Sequence, residues 1–154
     1  MATIKEVLAS SDLFKGIADE GLKKIAALAQ AESYEVGAIL FTEGSATRDV
    51  YIIKEGRVAL DLSLSPTPGV GKQTTVETLS NGQICGWSAV GGTAVYSMTA
   101  RCTEPVRMIA INGERLRSLL DENPNIGYRV MENMAKIISS RLRNIRMTLR
   151  VFHR

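Results

Sequence analysis

The sequence contains few of the residues that build metal and nucleophilic sites. Its 154 residues include two cysteines and one histidine. Cys85 and Cys102 have no paired motif around them, so they predict neither a secreted disulfide scaffold nor a zinc site, and we expect two free thiols. His153 is next to last in the chain and leaves no Ser/His or Cys/His pair for catalysis. These absences predict a protein that is not an enzyme and has no metal site and no resident cofactor.

Long apolar runs are also missing. No run approaches the roughly 20 residues of a membrane-spanning helix, and residues 1–12 lack the apolar core and cleavage-like site of a signal peptide. Apolar residues still make up 45% of the chain and charged residues 23%, and the net charge is +3. This composition predicts a single cytoplasmic domain, residues 1–154, with a real hydrophobic core. It favours neither a membrane nor a nucleic-acid partner.

The N-terminal part has a helical pattern. Leu22, Ile25 and Ala29 recur at helical spacing after Asp19, which is a plausible cap. We therefore predict that residues 1–31 form helices. The pattern changes at the end of this region, where short apolar runs begin to alternate with glycine turns.

Residues 32–111 have the pattern of a β region. The predicted strands are residues 39–41, 50–53, 58–64, 73–79, 96–103 and 106–111. Val58 to Leu64 alternates apolar and polar residues, which indicates a strand buried on one face. Residues 66–72 are rich in proline and glycine and predict the tip of a hairpin. Many short, regularly spaced strands are typical of a barrel or sandwich.

Helix returns at Asn112 and continues in two segments through residues 112–154. Asn123 and Pro124 form a clear helix start, because asparagine caps a helix well and proline suits its first position. Nothing breaks the pattern from there to Phe152, a length of roughly 43 Å at 1.5 Å per residue. The overall prediction is an α+β fold, with N-terminal helices, a β region and a long C-terminal helix.

The long helix carries an apolar seam. The residues spaced alternately three and four apart are Tyr128, Met131, Ala135, Ile138, Leu142, Ile145, Leu149 and Phe152. A seam kept for more than three heptads favours pairing with a second helix. Val130, Met134 and Ile137 form a second apolar face, which we expect to pack on the β region. The alternative is a single helix lying on its own domain, but a compact domain does not easily cover so long a rod, so we predict a homodimer.

The same half of the helix is basic. No acidic residue follows Glu132, and the basic residues are Arg141, Arg143, Arg146, Arg150, His153 and Arg154. A basic helix can bind nucleic acid or another anionic partner. Alternatively, these cations form a solvated face and offset the negative end of the helix dipole.

Two stretches resemble cyclic-nucleotide-binding domains of the catabolite-activator type. In the first, the matching residues are Leu13, Phe14, Gly37, Phe41, Glu43, Gly44, Tyr51, Ile53, Gly56 and Val58. The second begins at GQICGWSA and continues through LLDENPNIGYRVMENMAKIISSRL, so the resemblance covers nearly the whole chain from residue 13 onward. It implies a β-roll, a double-stranded β-helix of jelly-roll type, over residues 32–111, with a phosphate-binding cassette at residues 82–100. Transcription factors of this type add a helix-turn-helix after the long helix, and because this sequence ends there we expect no DNA binding by that route.

The cassette departs from the family at both charged positions. In the family, a glutamate after the second glycine holds the ribose hydroxyl, and an arginine further on pairs with the cyclic phosphate. Here Gly86 is kept, but Trp87 stands at the glutamate position and Ala94, followed by Val95, at the arginine position. The backbone at Ser88 can still face an anion. The candidate ligand-binding residues are Gly86, Trp87, Ser88, Ala89, Ala94, Val95, Tyr96 and Arg141.

Trp87 permits two interpretations. It fills the emptied pocket as a core aromatic residue, or it stacks on a ring-shaped ligand other than a cyclic nucleotide.

We predict a ligand-sensing or regulatory module with a degenerate site, which acts through contacts with an unidentified regulatory partner protein. One alternative is a genuine sensor of cAMP, cGMP or another small molecule, such as a weakly bound small anion, that uses non-standard contacts with Trp87 and Arg141 near the pocket. The other is a purely structural dimerisation module.

Overall fold

Helices at both ends of the chain flank a set of short strands. A computed structural model describes residues 2–65 and 71–152, without the side chains of residues 151 and 152. Its elements are α1 (Ile4–Ser10), α2 (Asp19–Ala26), β1 (Ala29–Tyr34), β2 (Ile39–Phe41), β3 (Asp49–Glu55), β4 (Val58–Ser63), β5 (Gln73–Leu79), β6 (Ile84–Cys85), α3 (Ser88–Gly91), β7 (Thr99–Cys102), β8 (Val106–Asn112), α4 (Gly113–Glu122) and α5 (Pro124–Phe152). The predicted α+β class and order of elements are confirmed. Most of the predicted hairpin tip, residues 66–70, lies outside the described residues.

The strands form two four-stranded antiparallel sheets. One sheet has the order β1-β8-β3-β6 and the other the order β2-β7-β4-β5. Successive side chains of a strand face opposite sides of its sheet. On β3, Val50 and Ile52 therefore pack beneath the helices, whereas Tyr51 and Ile53 join the core between the sheets. This division into a helix-covered core and an inter-sheet core is the jelly-roll-like arrangement that the family resemblance implied.

The N-terminal helices end earlier than predicted. α2 begins at Asp19, which is the first residue of the helix rather than its cap. The Asp19 carboxylate instead accepts a hydrogen bond from the Lys5 ammonium at 2.6 Å. β1 starts at Ala29, inside the region 1–31 that was predicted to be helical. Alanine favours helices, but β1 pairs with β8 along its whole length, and this pairing overrides the local preference.

β4 is buried on both faces, not on one face as its alternating sequence suggested. Its polar residue Asp61 is only 6% exposed. The Asp61 carboxylate accepts hydrogen bonds from Thr75 Oγ1 at 2.6 Å and from Arg101 Nε at 3.0 Å. A buried carboxylate needs such partners, and their presence on the neighbouring strands explains why a polar position of the pattern does not face solvent.

The long helix spans the residues that the sequence predicted, with Pro124 in its first position. Its inner face packs on the core through Val130 and Met134, both of which are buried. Its second half also lies along β5, where Asn144 Nδ2 donates to the Glu77 carboxylate at 3.1 Å. The domain therefore covers more of this helix than we expected from its length. Within the described ranges, no helix is both long and apolar enough to cross a membrane.

Candidate functional site

The predicted cassette begins with a tight turn that requires glycine. β6 ends at Cys85, and Gly86 follows with a φ of +82°. A Cβ on Gly86 would lie 2.8 Å from the Asp49 carbonyl oxygen and 3.4 Å from the Tyr96 ring, so the backbone passes too close for a side chain. The turn places Trp87 at the start of the short helix α3, where its indole packs against both hydrophobic cores.

Two stacked aromatic rings form one wall of the site. Phe41 and Tyr96 lie with their ring centroids 4.0 Å apart and an interplanar angle of 17°. The Tyr96 hydroxyl accepts hydrogen bonds from the backbone N–H groups of Arg48 at 3.0 Å and Asp49 at 2.9 Å, and it donates to the Asp49 carbonyl at 2.7 Å. Burial raises the pKa of Tyr96. Its hydroxyl therefore serves the fold and is not free to bind a ligand.

Arg141 of α5 closes the site from the other side. Only 4% of its surface is exposed, and its guanidinium carbon lies 4.7 Å from the centroid of the Trp87 ring, a cation–π contact. Nη2 donates to the carbonyl oxygen of Ile84, and Nε forms an ion pair with Glu77 Oε2 at 3.3 Å. Arg141 Nη1 and Glu77 Oε2 are both buried, and neither has a hydrogen-bond partner among the described residues.

Burial and the ion pair act on Arg141 in opposite directions. Burial lowers the pKa of the guanidinium, whereas the Glu77 carboxylate raises it. Arginine keeps its proton in proteins. A positive charge therefore stands inside the domain, balanced on one side by a carboxylate that is itself largely buried.

These side chains leave almost no space between them. The remaining cavity has a volume of about 10 Å³, about the size of a site for one water molecule. Its lining residues are Phe41, Leu60, Gly86, Trp87, Ser88, Tyr96, Ser97, Met98 and Arg141.

Sequence reasoning missed Phe41, Leu60, Ser97 and Met98 as site residues, although Phe41 was already among the residues that carry the resemblance. It also missed Glu77, because no local pattern indicates an ion pair between β5 and α5.

The structure brings some of the predicted ligand-binding residues together and separates others. Those that line the cavity are Gly86, Trp87, Ser88, Tyr96 and Arg141. Ala89 instead packs in the inter-sheet core. Ala94 and Val95 do not reach the cavity, and both are exposed to solvent. Gly92 ends α3 in the left-handed conformation, and the chain after it pairs with the loop that follows β2, which holds these two residues at the surface.

The predicted dimer seam lies mostly on the outer face of α5. Its exposed strip consists of Tyr128, Met131, Ala135, Ile138 and Leu142. Leu142 is 57% exposed, although leucine is usually a core residue. Ile145 and Leu149 are half-buried, and Ile145 packs against the inter-sheet core of its own domain. The side chain of Phe152 lies outside the described residues.

The basic residues of α5 do not form a single face. Arg143, Arg146 and Arg150 are exposed, whereas Arg141 is buried in the site. His153 and Arg154 are beyond the part of the chain that the structure describes. The exposed arginines are compatible with both interpretations of the basic helix, an anionic partner and a solvated face.

The two cysteines are free and buried. Burial raises the pKa of Cys85 to about 12 and also raises the pKa of Cys102. In residues 2–65 and 71–152, no three histidine, cysteine or acidic side chains lie close enough together to hold a metal ion.

Comparisons with known proteins give one consistent family. Residues 31–123 match the family model described as the cyclic nucleotide-binding domain. A provisionally assigned cyclic nucleotide-binding protein from Geobacter metallireducens is 31% identical, with a TM-score of 0.77, over 92% of this chain and 99% of that one. The catabolite activator protein of Thermus thermophilus is 24% identical, with a TM-score of 0.72, over 93% and 63% of the two chains. The regulatory domain of PKA from Toxoplasma gondii, in a co-crystal with cAMP, is 18% identical, with a TM-score of 0.65, over 77% and 42%. No curated protein matched.

Proposed function

Since this chain belongs to the cyclic nucleotide-binding domain family, we propose that it is a regulatory module whose own site is closed to cyclic nucleotides. It is not an enzyme. It works in the cytoplasm as a homodimer and passes its signal to another protein by direct contact. The observation that carries this proposal is the filled pocket, in which Trp87 and Arg141 leave a cavity of about 10 Å³.

A cyclic nucleotide does not fit the residues present. Sites for small molecules usually have volumes of roughly 300–1,000 Å³, far more than the cavity here. The two charged contacts of the family cassette are also missing, because Trp87 replaces the acid and the exposed Ala94 replaces the arginine. Each charge-assisted contact contributes roughly 1.5–3 kcal/mol. The loss of both predicts a cyclic-nucleotide affinity about 10²- to 10⁴-fold below that of an intact cassette.

The exposed strip of α5 supports the homodimer. Its five residues follow the alternating spacing of three and four that lets one helix pack into the grooves of another. Ile138 and Leu142 expose apolar surface to water as long as the helix is unpaired, which is unfavourable. A second copy of the same strip has the matching spacing and would cover both.

Isothermal titration calorimetry with cAMP and cGMP tests the closed site. We expect no stoichiometric binding at concentrations that saturate a cAMP-binding regulatory domain of this family, which serves as the positive control. Tight one-to-one binding of either nucleotide would refute the closed site. Sedimentation velocity on the same sample tests the homodimer, and a monomer over the whole accessible concentration range would refute that part of the proposal.

A genuine sensor that uses non-standard contacts is the second candidate. One observation favours it, the buried Nη1 of Arg141 that has no hydrogen-bond partner among the described residues, although Oε2 of the paired Glu77 has none either. In a sensor of this kind the Trp87 indole would move to admit a ligand, and Arg141 would bind it. Because the chain has a single tryptophan, a change in tryptophan fluorescence on ligand addition would report this movement directly.

A further inference from the structure

A row of basic residues runs along the outer surface of α5. Arg141 points into the domain, but other cations of the helix share one exposed side. Their spacing is seven residues, and they are Arg129, Lys136, Arg143 and Arg150. Because seven residues make almost two turns of an α-helix, the four side chains project in nearly the same direction. This basic row is roughly 30 Å long at 1.5 Å per residue.

Most of the charge of the basic row is not compensated by the domain itself. In residues 2–65 and 71–152, one member of the row forms an ion pair, in which Arg129 Nη1 lies 3.3 Å from the Glu132 carboxylate. Lys136, Arg143 and Arg150 form none there, and no acidic residue follows Glu132 in the sequence. Three exposed cations in line are therefore available to an acidic partner.

The first half of the row borders a groove that the fold holds in shape. The groove lies between α5 and residues 12–16 and has a volume of about 490 Å³. Asn133 is buried and fixes this segment on the helix, because its Nδ2 donates to the Leu13 carbonyl at 2.9 Å and to the Lys15 carbonyl at 3.0 Å. The charged residues that line the groove are Asp12, Lys15, Arg129 and Lys136. Three of these four are cations, so an acidic segment meets a preformed positive surface and less ordering is needed to bind it.

The regular spacing of the row favours a helix as the partner. A helix with a carboxylate at every seventh position has the same repeat, so successive carboxylates can meet successive cations. Charged residues at heptad spacing pair between helices in this way in coiled coils. A single exposed ion pair contributes little to binding, but several aligned pairs add up.

Other polyanions match the row less well. The phosphates of each DNA strand follow a helical path with one charge per roughly 3.4 Å of axis, whereas the row is straight and has one cation per roughly 10 Å. Single-stranded nucleic acids stack their bases on aromatic side chains, and the row has none. A helix that lies on a membrane inserts an apolar face beside its cations, but in the proposed homodimer the second copy covers the exposed strip.

We propose that the basic row is the surface through which this domain contacts its partner protein, and that the partner contributes an acidic α-helix with carboxylates spaced seven residues apart. This inference rests on the proposed function, because it names the chemistry of the partner that receives the signal. The row lies between the exposed strip and the inner face that packs on the core. Both copies of the homodimer therefore keep their rows accessible.

Fluorescence anisotropy with a labelled model peptide tests the proposal on the full chain. The peptide is a helix rich in alanine and glutamine that carries four glutamates spaced seven residues apart. The control peptide carries the same four glutamates spaced five apart, which distributes them around the helix. At low ionic strength, where surface charges are little screened, we expect the heptad peptide to bind about tenfold more tightly than the control peptide.

Removal of charge from the row locates the contact. Lys136→Gln combined with Arg143→Gln should weaken binding of the heptad peptide about tenfold, the effect of two exposed ion pairs. The matched control combines Lys72→Gln with Arg115→Gln, which removes the same charge from exposed positions outside α5, and it should leave binding unchanged. All four side chains are exposed, so we expect both variants to fold, which circular dichroism checks.

The proposal is overturned if the heptad peptide does not bind, if the two peptides bind equally, or if both variants lose affinity to the same extent. A DNA duplex or phosphatidylserine vesicles that bind more tightly than the heptad peptide, and lose this binding in the Lys136 and Arg143 variant, would assign the row to nucleic acid or membranes instead. Calorimetry with cAMP and sedimentation velocity test the closed site and the homodimer without the row. Failure of the proposed function is therefore distinguishable from failure of this inference.

Discussion

Replacing Trp87 by alanine tests whether the pocket is plugged. The indole packs against the helix-covered core and the inter-sheet core at once, and it also stacks on the Arg141 guanidinium at 4.7 Å. Alanine would remove both packing contacts and leave the buried cation facing an empty space. If Trp87 is the plug, the ligand-free protein itself should lose stability.

The magnitude follows from the burial of the indole. Truncating a fully buried tryptophan to alanine lowers the free energy of unfolding by roughly 3–5 kcal/mol. Trp87 is only partly buried, so the low end of this range applies. Alanine also removes the cation–π contact with the buried guanidinium of Arg141, and this loss further lowers the free energy of unfolding. We expect Trp87→Ala to lower the free energy of unfolding by about 3 kcal/mol.

Urea denaturation followed by far-ultraviolet circular dichroism is the appropriate assay, because the variant has no tryptophan to report unfolding. Both proteins should be compared at the same concentration, since the apparent stability of a dimer depends on it. Trp87→Phe, which keeps an aromatic ring in the pocket, is the matched control and should lose clearly less stability. An unchanged unfolding free energy for Trp87→Ala would refute the plugged pocket and would indicate that Trp87 lines an open pocket that a ligand can enter.

Three further predictions follow from other residues. Leu142→Glu should convert the homodimer to monomers in sedimentation velocity, because it places like charges opposite each other, whereas Met147→Glu, exposed but outside the seam, should not. Gly86→Ala should destabilise the fold in thermal melts by about 1 kcal/mol or more, since it combines a positive φ with a Cβ only 2.8 Å from a backbone carbonyl oxygen. The thiols of Cys85 and Cys102 should resist a thiol reagent at pH 8 until the protein unfolds, because burial raises the pKa of Cys85 to about 12 and disfavours the reactive thiolate. Rapid labelling of the folded protein would contradict this.

Most of the fold could be predicted because its elements have local sequence signals. Residues 73–79 were predicted as a strand with the bounds that the structure gives, and Asn123 with Pro124 marked the start of α5. β1 was missed because Ala29 and its neighbours favour helix locally, and only pairing with β8 makes them a strand. β6 was missed because a strand of two residues is too short to show a pattern.

The candidate site was less predictable, because it is assembled from distant segments. The turn at Gly86 and the place of Trp87 follow from local sequence and resemblance. The role of Ala94 was inferred from the family resemblance, which cannot show that α3 ends at Gly92 and that Ala94 then lies at the surface. The contact between Glu77 and Arg141 joins residues that are far apart in the sequence, so nothing short of the fold reveals it.

The contact between α5 and β5 has a consequence for aggregation. β5 is the last strand in its sheet, so one of its backbone edges has no neighbouring strand in the described residues. Exposed strand edges recruit strands from other molecules. α5 lies along this strand, and Thr148 Oγ1 donates to the Val76 carbonyl at 3.4 Å. The second half of the helix therefore covers this edge and hinders the addition of a strand from another molecule. We expect a chain truncated before Asn144 to expose the edge of β5 and to aggregate more readily.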